Sequence, residues 1–397
     1  MKLSHGIHLA YCTNIHRGES WAETLGALER HTLAVRARVC PDRPYAIGLR
    51  LSDQALRELS DKAALLAFRR WLDSHGCYVF TINGFPYGRF HGGRVKEQVY
   101  VPDWTTRERL EYTNGLFDLL AQLVPEGVEG SISTVPCSFK EFIRTEAQAR
   151  AMRANLWRCV EHIAVLSERS GKRLHLGLEP EPLCYLETSG ETADFFGELR
   201  ADRPGDARVD AHLGVNYDTC HLAVEFEEPV EVVRRFQRDR IRISKLHFSS
   251  ALKVQPTAEA RAALAAFADD IYLHQVIARS ADGAITRFKD LGAALAQGAG
   301  FMAGIPSPIS DSGAEWRIHF HIPLHSRPTA LFDTTTDHLL GVMDILKASP
   351  GLCSHIEMET YTWEVLPAAL KDRDVVDQLV AEYEWTLARL AERGLAI

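Results

Sequence analysis

Apolar positions along this chain follow two rhythms that take turns. Short apolar runs, each bounded by glycine, proline or a charged residue, sit between longer stretches whose apolar positions return every three or four residues. Runs at residues 6–14, 45–51, 78–83, 130–136, 174–181, 213–218, 243–248 and 355–361 read as strands. The stretches 20–38, 52–75, 105–123, 145–170, 188–199, 229–239, 333–347 and 375–392 read as helices. Ser20 with Glu23 forms a capping box at the first helix, and Met152, Leu156, Val160 and Ile163 share one face of the fourth. Strand and helix alternate over short connections, which calls for a parallel sheet with right-handed crossovers. The strands are apolar on both faces, as in a sheet buried on both sides. The expected fold is α/β, a (β/α)8 barrel over residues 1–397.

Two segments break the rhythm. Residues 84–104 open with a glycine-rich, aromatic stretch, Gly84-Phe85-Pro86-Tyr87-Gly88 and onward to Gly93. A structureless loop of that length belongs to a site rim or a lid. After Ser250 come a helical stretch at 257–267, apolar runs at 272–277 and 285–286 around Asp282-Gly283, and a Gly/Ser/Pro-rich stretch at 298–313. Asp-Gly between apolar runs signals a hairpin. A further strand at 316–323 makes nine where a barrel takes eight, so 251–325 reads as an insertion between the seventh and eighth strands.

Totals narrow the function. The chain is 46% hydrophobic and 25% charged, ordinary for a soluble globular protein, with a net charge of −8. That balance argues against a nucleic-acid partner. No apolar segment is long enough to span or insert into a membrane or to serve as a secretory leader. Eight cysteines without a single CxxC fit free thiols in a reducing cytoplasm. The expected partner is a small-molecule metabolite, and an oligomer is compatible with the sequence.

The chemistry gathers at strand ends. Pro180 and Pro182 end the run that begins at Leu176, which leaves Glu179 at the C-terminal tip, where an α/β barrel keeps its active site. Asp218, His247 and Glu359 finish three later runs in the same way. Three carboxylates and one imidazole suit Mn²⁺, Mg²⁺, Co²⁺ or Zn²⁺ and not a thiolate-selected metal. His221 follows Asp218 into the next loop, and His319 and His321 share one strand face. These three, with Glu181 and with His8 on the first strand, are candidate substrate contacts. Glu357 shares a face with Glu359 but lies further from the mouth, so it reads as inner packing or support for the ligands.

Leu178-Glu179-Pro180, Asp218-Thr219-Cys220-His221, His247 and Met358-Glu359-Thr360-Tyr361 resemble the metal-site motifs of the xylose isomerase-like TIM barrel superfamily. That superfamily includes ketose 3-epimerases, hydroxypyruvate isomerases and endonuclease IV. The resemblance implies that Glu179, Asp218, His247 and Glu359 bind the metal. It also implies that the two glutamates pass a proton and that His221 contacts substrate. Over most of the chain, Tyr11-Cys12-Thr13-Asn14-Ile15-His16, Asn83-Gly84-Phe85-Pro86-Tyr87-Gly88, Gly130-Ser131-Ile132-Ser133-Thr134-Val135-Pro136, Glu179-Pro180-Glu181-Pro182 and Glu359-Thr360-Tyr361-Thr362-Trp363 resemble the EboE family. Its label as a metabolite-traffic protein implies a part in handling a secondary metabolite. The expected activity is a metal-dependent isomerase or epimerase working through an enediolate of a sugar- or polyol-like molecule. The alternatives are a multi-zinc hydrolase of the endonuclease IV type and a metabolite-binding carrier without turnover.

Overall fold

The computed structural model of the chain describes residues 1–89, 95–268, 271–299, 313–365, 371 and 373–396. Residues 90–94 of the expected rim loop and 300–312 of the Gly/Ser/Pro-rich stretch lie outside the described residues. The first seven strands are β1 (His8–Tyr11), β2 (Tyr45–Arg50), β3 (Cys77–Asn83), β4 (Gly130–Thr134), β5 (Leu174–Leu178), β6 (Leu213–Asp218) and β7 (Arg242–Phe248). A second group follows: β8 (Ala251–Val254), β9 (Val276–Arg279), β10 (Ile285–Phe288), β11 (Glu315–His321) and β12 (Asp333–Thr334). The last strand is β13 (His355–Met358).

Among the described residues, β1 to β7 and β13 form an eight-stranded parallel sheet in the order β1-β13-β7-β6-β5-β4-β3-β2. A parallel bridge between Cys12 and Gly48 brings β1 against β2 and closes the ring. The fold is a (β/α)8 barrel. Several strands are shorter than their apolar runs. β5 stops at Leu178 because Pro180 and Pro182 lack the amide hydrogens a ladder needs. The helix expected at 52–75 is two helices, Asp53–Leu59 and Lys62–Ser74, because Asp61 leaves helical geometry and its carboxylate caps Ala63 N and Ala64 N.

The second group makes a five-stranded antiparallel sheet in the order β10-β9-β11-β8-β12. The expected hairpin is there: Val276 pairs with Phe288 and Arg279 with Ile285. Two strands were not legible. β8 falls at the start of the expected insertion, where no strand was expected, and Asp333-Thr334 reads as a helix start, whereas they pair with Lys253 and Leu252. The sheet therefore reaches past residue 325, and the following helix is Thr336–Ala348. Arg287 pins the hairpin to the barrel by bridging Glu187 and Glu225, each at 2.7 Å.

Strand alternation builds a polar axis inside the barrel. His175, Gly177 and Glu179 lie on one face of β5 and its tip; Gly214, Asn216 and Asp218 on β6; Lys245 and His247 on β7; His355, Glu357 and Glu359 on β13 and its tip. A barrel interior is ordinarily filled with bulky apolar side chains. All eight cysteines are buried and unpaired. Among the described residues no helix is long and apolar enough to cross a membrane.

Glu382, on the closing helix Val375–Ala391, ties that helix to the end of β13. Its Oε1 accepts from Thr360 Oγ1 at 2.6 Å and Leu324 N at 3.1 Å. Burial pushes its carboxyl up to about 7, against these hydrogen bonds. A carboxyl raised on folding contributes fully below its ordinary value of 4.5, and that contribution is lost as pH rises through about 7. Glu382→Gln should flatten this part of the profile. Urea unfolding at pH 5 and pH 8.5 should show the variant losing about 3 kcal/mol less than the wild-type chain between those values. Equal losses in both proteins would contradict the assignment.

Candidate metal centre

Glu179, Asp218, His247 and Glu359 come from β5, β6, β7 and β13. Each offers one donor atom, and the four atoms lie within 4.8 Å of one another in a fully buried group. His247 stands at the centre. Its Nδ1 is 3.0 Å from Glu179 Oε1, 3.2 Å from Glu359 Oε2 and 3.6 Å from Asp218 Oδ2. Its Nε2 faces the other way, 3.1 Å from Glu357 Oε2. The Asn216 amide nitrogen lies along the ring, 3.2 Å from Nδ1 and 3.4 Å from Nε2.

Each carboxylate is oriented by a different local device. Asp218 is the last residue of β6 and caps the short helix Thr219–Val224. Its Oδ1 accepts from Cys220 N, His221 N and Ser249 Oγ at 2.7, 3.0 and 2.6 Å. Its Oδ2 is buried with no hydrogen-bond partner and points toward His247. Glu359 Oε1 accepts from Asn14 Nδ2 at 2.7 Å and Asn83 Nδ2 at 3.3 Å, which turns Oε2 toward the imidazole. Glu179 is held by its own amide, which donates to Thr134 O at 3.1 Å.

The electrostatics follow from this crowding. Burial alone would favour neutral His247, but the Glu359 and Glu179 charges outweigh it and hold the imidazole well above its ordinary value. Asp218 is kept well below its ordinary value, against the cost of burial, by the imidazoles of His221, His321 and His247. Glu359 is lowered against burial chiefly by His247. Burial also opposes ionisation of Glu357, yet Lys245 and His247 bring its carboxyl down to about 2. Three oxygen donors and one nitrogen, with an orphaned buried carboxylate oxygen among them, fit a divalent cation of the Mg²⁺, Mn²⁺, Co²⁺ or Zn²⁺ class.

A second group adjoins the first. His221, His319 and His321 have ring centres 4.5, 5.4 and 5.3 Å apart. His221 Nδ1 donates to Pro180 O at 3.1 Å, His321 Nδ1 to Glu359 O at 3.0 Å, and His319 Nδ1 to Gln275 Oε1 at 2.8 Å. In the neutral rings, with each Nδ1 hydrogen committed, each Nε2 would carry a lone pair; the Nε2 atoms of His221 and His321 stand 3.4 Å apart. Glu181 lies beside them. Tyr100 donates to its Oε1 at 2.5 Å, and its Oε2 has no partner. Burial and the charges of Glu179, Asp218 and Glu359 push its carboxyl well above the ordinary value.

The mouth above both groups is walled by Phe85, Tyr100, Tyr272 and Tyr361. Val95, Lys96, Val99 and Tyr100, from the expected rim loop, line it, and Lys96–Tyr100 forms a 3-10 helix. Val95 N and Lys96 N donate to Ile271 O at 2.9 and 3.0 Å, and Lys96 Nζ pairs with Asp290 at 2.7 Å.

His8 does not join the site. As the first residue of β1, in register with His355, it sits at the N-terminal end of the barrel, opposite the mouth. Its Nδ1 meets Tyr78 OH at 2.7 Å, and burial brings its imidazole down to about 4. The error was one of direction: substrate side chains gather at strand C-termini, and His8 opens its strand. Sequence reading also passed over Asn14, Asn83 and Lys245. Lys245 carried a signal, since it shares a strand face with His247; the two asparagines stand in the EboE-like motifs at the ends of apolar runs, with nothing that gave them a role at the site.

No family model matches the sequence, and no curated protein matches it. Solved structures do. A xylose isomerase-like TIM barrel protein from Mycobacterium smegmatis in complex with magnesium superposes with a TM-score of 0.53 at 14% identity, covering 99% of both chains. The chain has the fold of the xylose isomerase-like TIM barrels. A xylose isomerase domain protein from Planctomyces limnophilus gives a TM-score of 0.50 at 12% identity, over 98% of this chain and 97% of that one. An L-ribulose 3-epimerase gives 0.49 at 13% identity, over 98% and 95%. The two likenesses at TM-scores of 0.53 and 0.50 carry the fold alone and leave the chemistry to the site itself.

Asp218→Asn tests the cation directly, because asparagine keeps the helix cap and removes the charge. Adding Mn²⁺ to chelator-treated protein at 100 times its Kd should stabilise the wild-type fold by about 2.7 kcal/mol. In Asp218→Asn the gain should fall close to zero. An undiminished gain would place the ion elsewhere.

Proposed function

We propose that the protein is a divalent-metal-dependent isomerase or epimerase of a small hydroxylated metabolite. The observation that carries this reading is the placement of two glutamates, Glu179 and Glu359, within reach of the same imidazole nitrogen at the barrel mouth. Glu179, Asp218, His247 and Glu359 would hold the cation, which supplies a Lewis acid for a carbonyl oxygen and its neighbouring hydroxyl. The proton chemistry belongs to the chain. One glutamate takes the hydrogen on the carbon beside the carbonyl and the other returns it. Both face the imidazole, but their surroundings differ in the way such a division of labour needs: Glu359 also takes two side-chain amide hydrogens on its other oxygen. An aromatic wall of Phe85, Tyr100 and Tyr361 stands above them and would limit water at the reacting carbon. If the resemblance of its motifs to the EboE family holds, the substrate is a metabolite of secondary metabolism.

Deuterium wash-in checks this reading. With Mn²⁺ and a panel of small ketoses in D₂O, the wild-type protein should place deuterium beside the carbonyl of at least one. Glu359→Gln should be slower by about 10²–10⁴-fold. Tight binding of a ketose with no exchange in the wild type would contradict catalysis and fit a carrier.

A second reading has one observation in its favour. The His221 and His321 Nε2 lone pairs converge with Asp218, and His221 and His319 with Glu181, each trio within 4.8 Å. Imidazoles whose other nitrogen is tied to a carbonyl are poised as metal ligands. A centre of two or three ions would suit a hydrolase of the multi-zinc type. Elemental analysis separates the two: one ion per chain fits the isomerase, and two or three fit the hydrolase.

A further inference from the structure

We infer that Lys245 and Glu357 form a buried positioning pair that fixes which nitrogen of His247 meets the cation. This rests on the reading that Glu179, Asp218, His247 and Glu359 hold one. Neither residue lines the mouth cavity. Both lie below it on the barrel axis, fully buried, and the β13–β7 register sets Glu357 directly beside His247.

A neutral imidazole carries one ring hydrogen. Glu357 Oε2 lies 3.1 Å from His247 Nε2 and, as a carboxylate, only accepts. The hydrogen therefore belongs on Nε2, which leaves the Nδ1 lone pair turned toward Glu179, Asp218 and Glu359. A carboxylate on the far nitrogen is the usual way to set the tautomer of a metal-ligating histidine. Alone in the barrel such a carboxylate would be an uncompensated charge. Lys245 removes that difficulty, with its Nζ 2.5 Å from the same oxygen. Gly48 provides the room: a Cβ there would stand 1.9 Å from Glu357 Oε1. The pair thus adds no net charge beneath three ligand carboxylates, yet supplies the acceptor that the imidazole needs.

Three variants separate charge balance from hydrogen bonding, read by the Mn²⁺ dissociation constant from calorimetry on chelator-treated protein. Thermal unfolding of each apo protein reports its fold. K245M leaves the buried carboxylate uncompensated and should bind Mn²⁺ at least about 10-fold more weakly. K245M/E357Q removes both charges but keeps a side-chain oxygen for Nε2–H, so it should return to within about 3-fold of wild type. K245M/E357L removes the acceptor and should remain about 10–100-fold weaker. If K245M does not fold, the two double variants decide. Wild-type affinity in folded K245M/E357L, or no recovery in folded K245M/E357Q, overturns the positioning role while leaving the cation site standing. A wild-type chain that binds no Mn²⁺ overturns the cation site and this pair together.

Discussion

Three buried carboxylates around one imidazole nitrogen is the constraint on which the rest of this structure turns. Glu179, Asp218 and Glu359 all stand within 4 Å of His247 Nδ1, away from water. Negative charge collected in such a place must be balanced or it unfolds the chain. In the protein alone the balance comes from raising the imidazole's hold on its proton. A divalent cation would meet the same demand more fully, with oxygen donors already oriented by the helix cap at Asp218 and the asparagine amides at Glu359. The geometry that crowds these charges together is also the geometry that would suit a small, doubly charged ion.

The barrel supplies that geometry through the simplest regularity of a strand. Side chains two apart share a face, so each of β5, β6, β7 and β13 lines the axis with several polar groups before presenting a ligand at its tip. Polar residues deep in the barrel then act on the mouth. The antiparallel sheet β8 to β12 adds what the barrel lacks: His319 and His321 enter from its strand β11, and Arg287 locks its hairpin to the barrel loops. The candidate site is therefore shared between a parallel sheet that carries the four converging donors and an antiparallel one that sets two imidazoles beside them.

Much of this was legible in the sequence, for local reasons. Prolines at 180 and 182 end a strand whatever surrounds it, and apolar runs that close on an acid or imidazole declare the tips. Those signals gave the barrel, its eight parallel strands and the four residues that converge. What escaped depended on pairing or direction. β8 is a strand because it finds β11 on one side and Asp333-Thr334 on the other, both far along the chain, and Asp333-Thr334 is one only through β8. His8 looks like its fellow histidines in composition, and only its position at the start of β1 sends it to the opposite end. Asn14 and Asn83 owe their role to the carboxylate they meet, which no run of neighbouring residues encodes.

The central claim is that one imidazole nitrogen and three carboxylates share a cation. Anomalous diffraction at the zinc edge from a Zn²⁺-soaked crystal tests it most directly. The account requires a peak about 2 Å from His247 Nδ1 and from oxygens of Glu179, Asp218 and Glu359. A peak on Nε2, or a principal ion among other side chains with these four left empty, would contradict it.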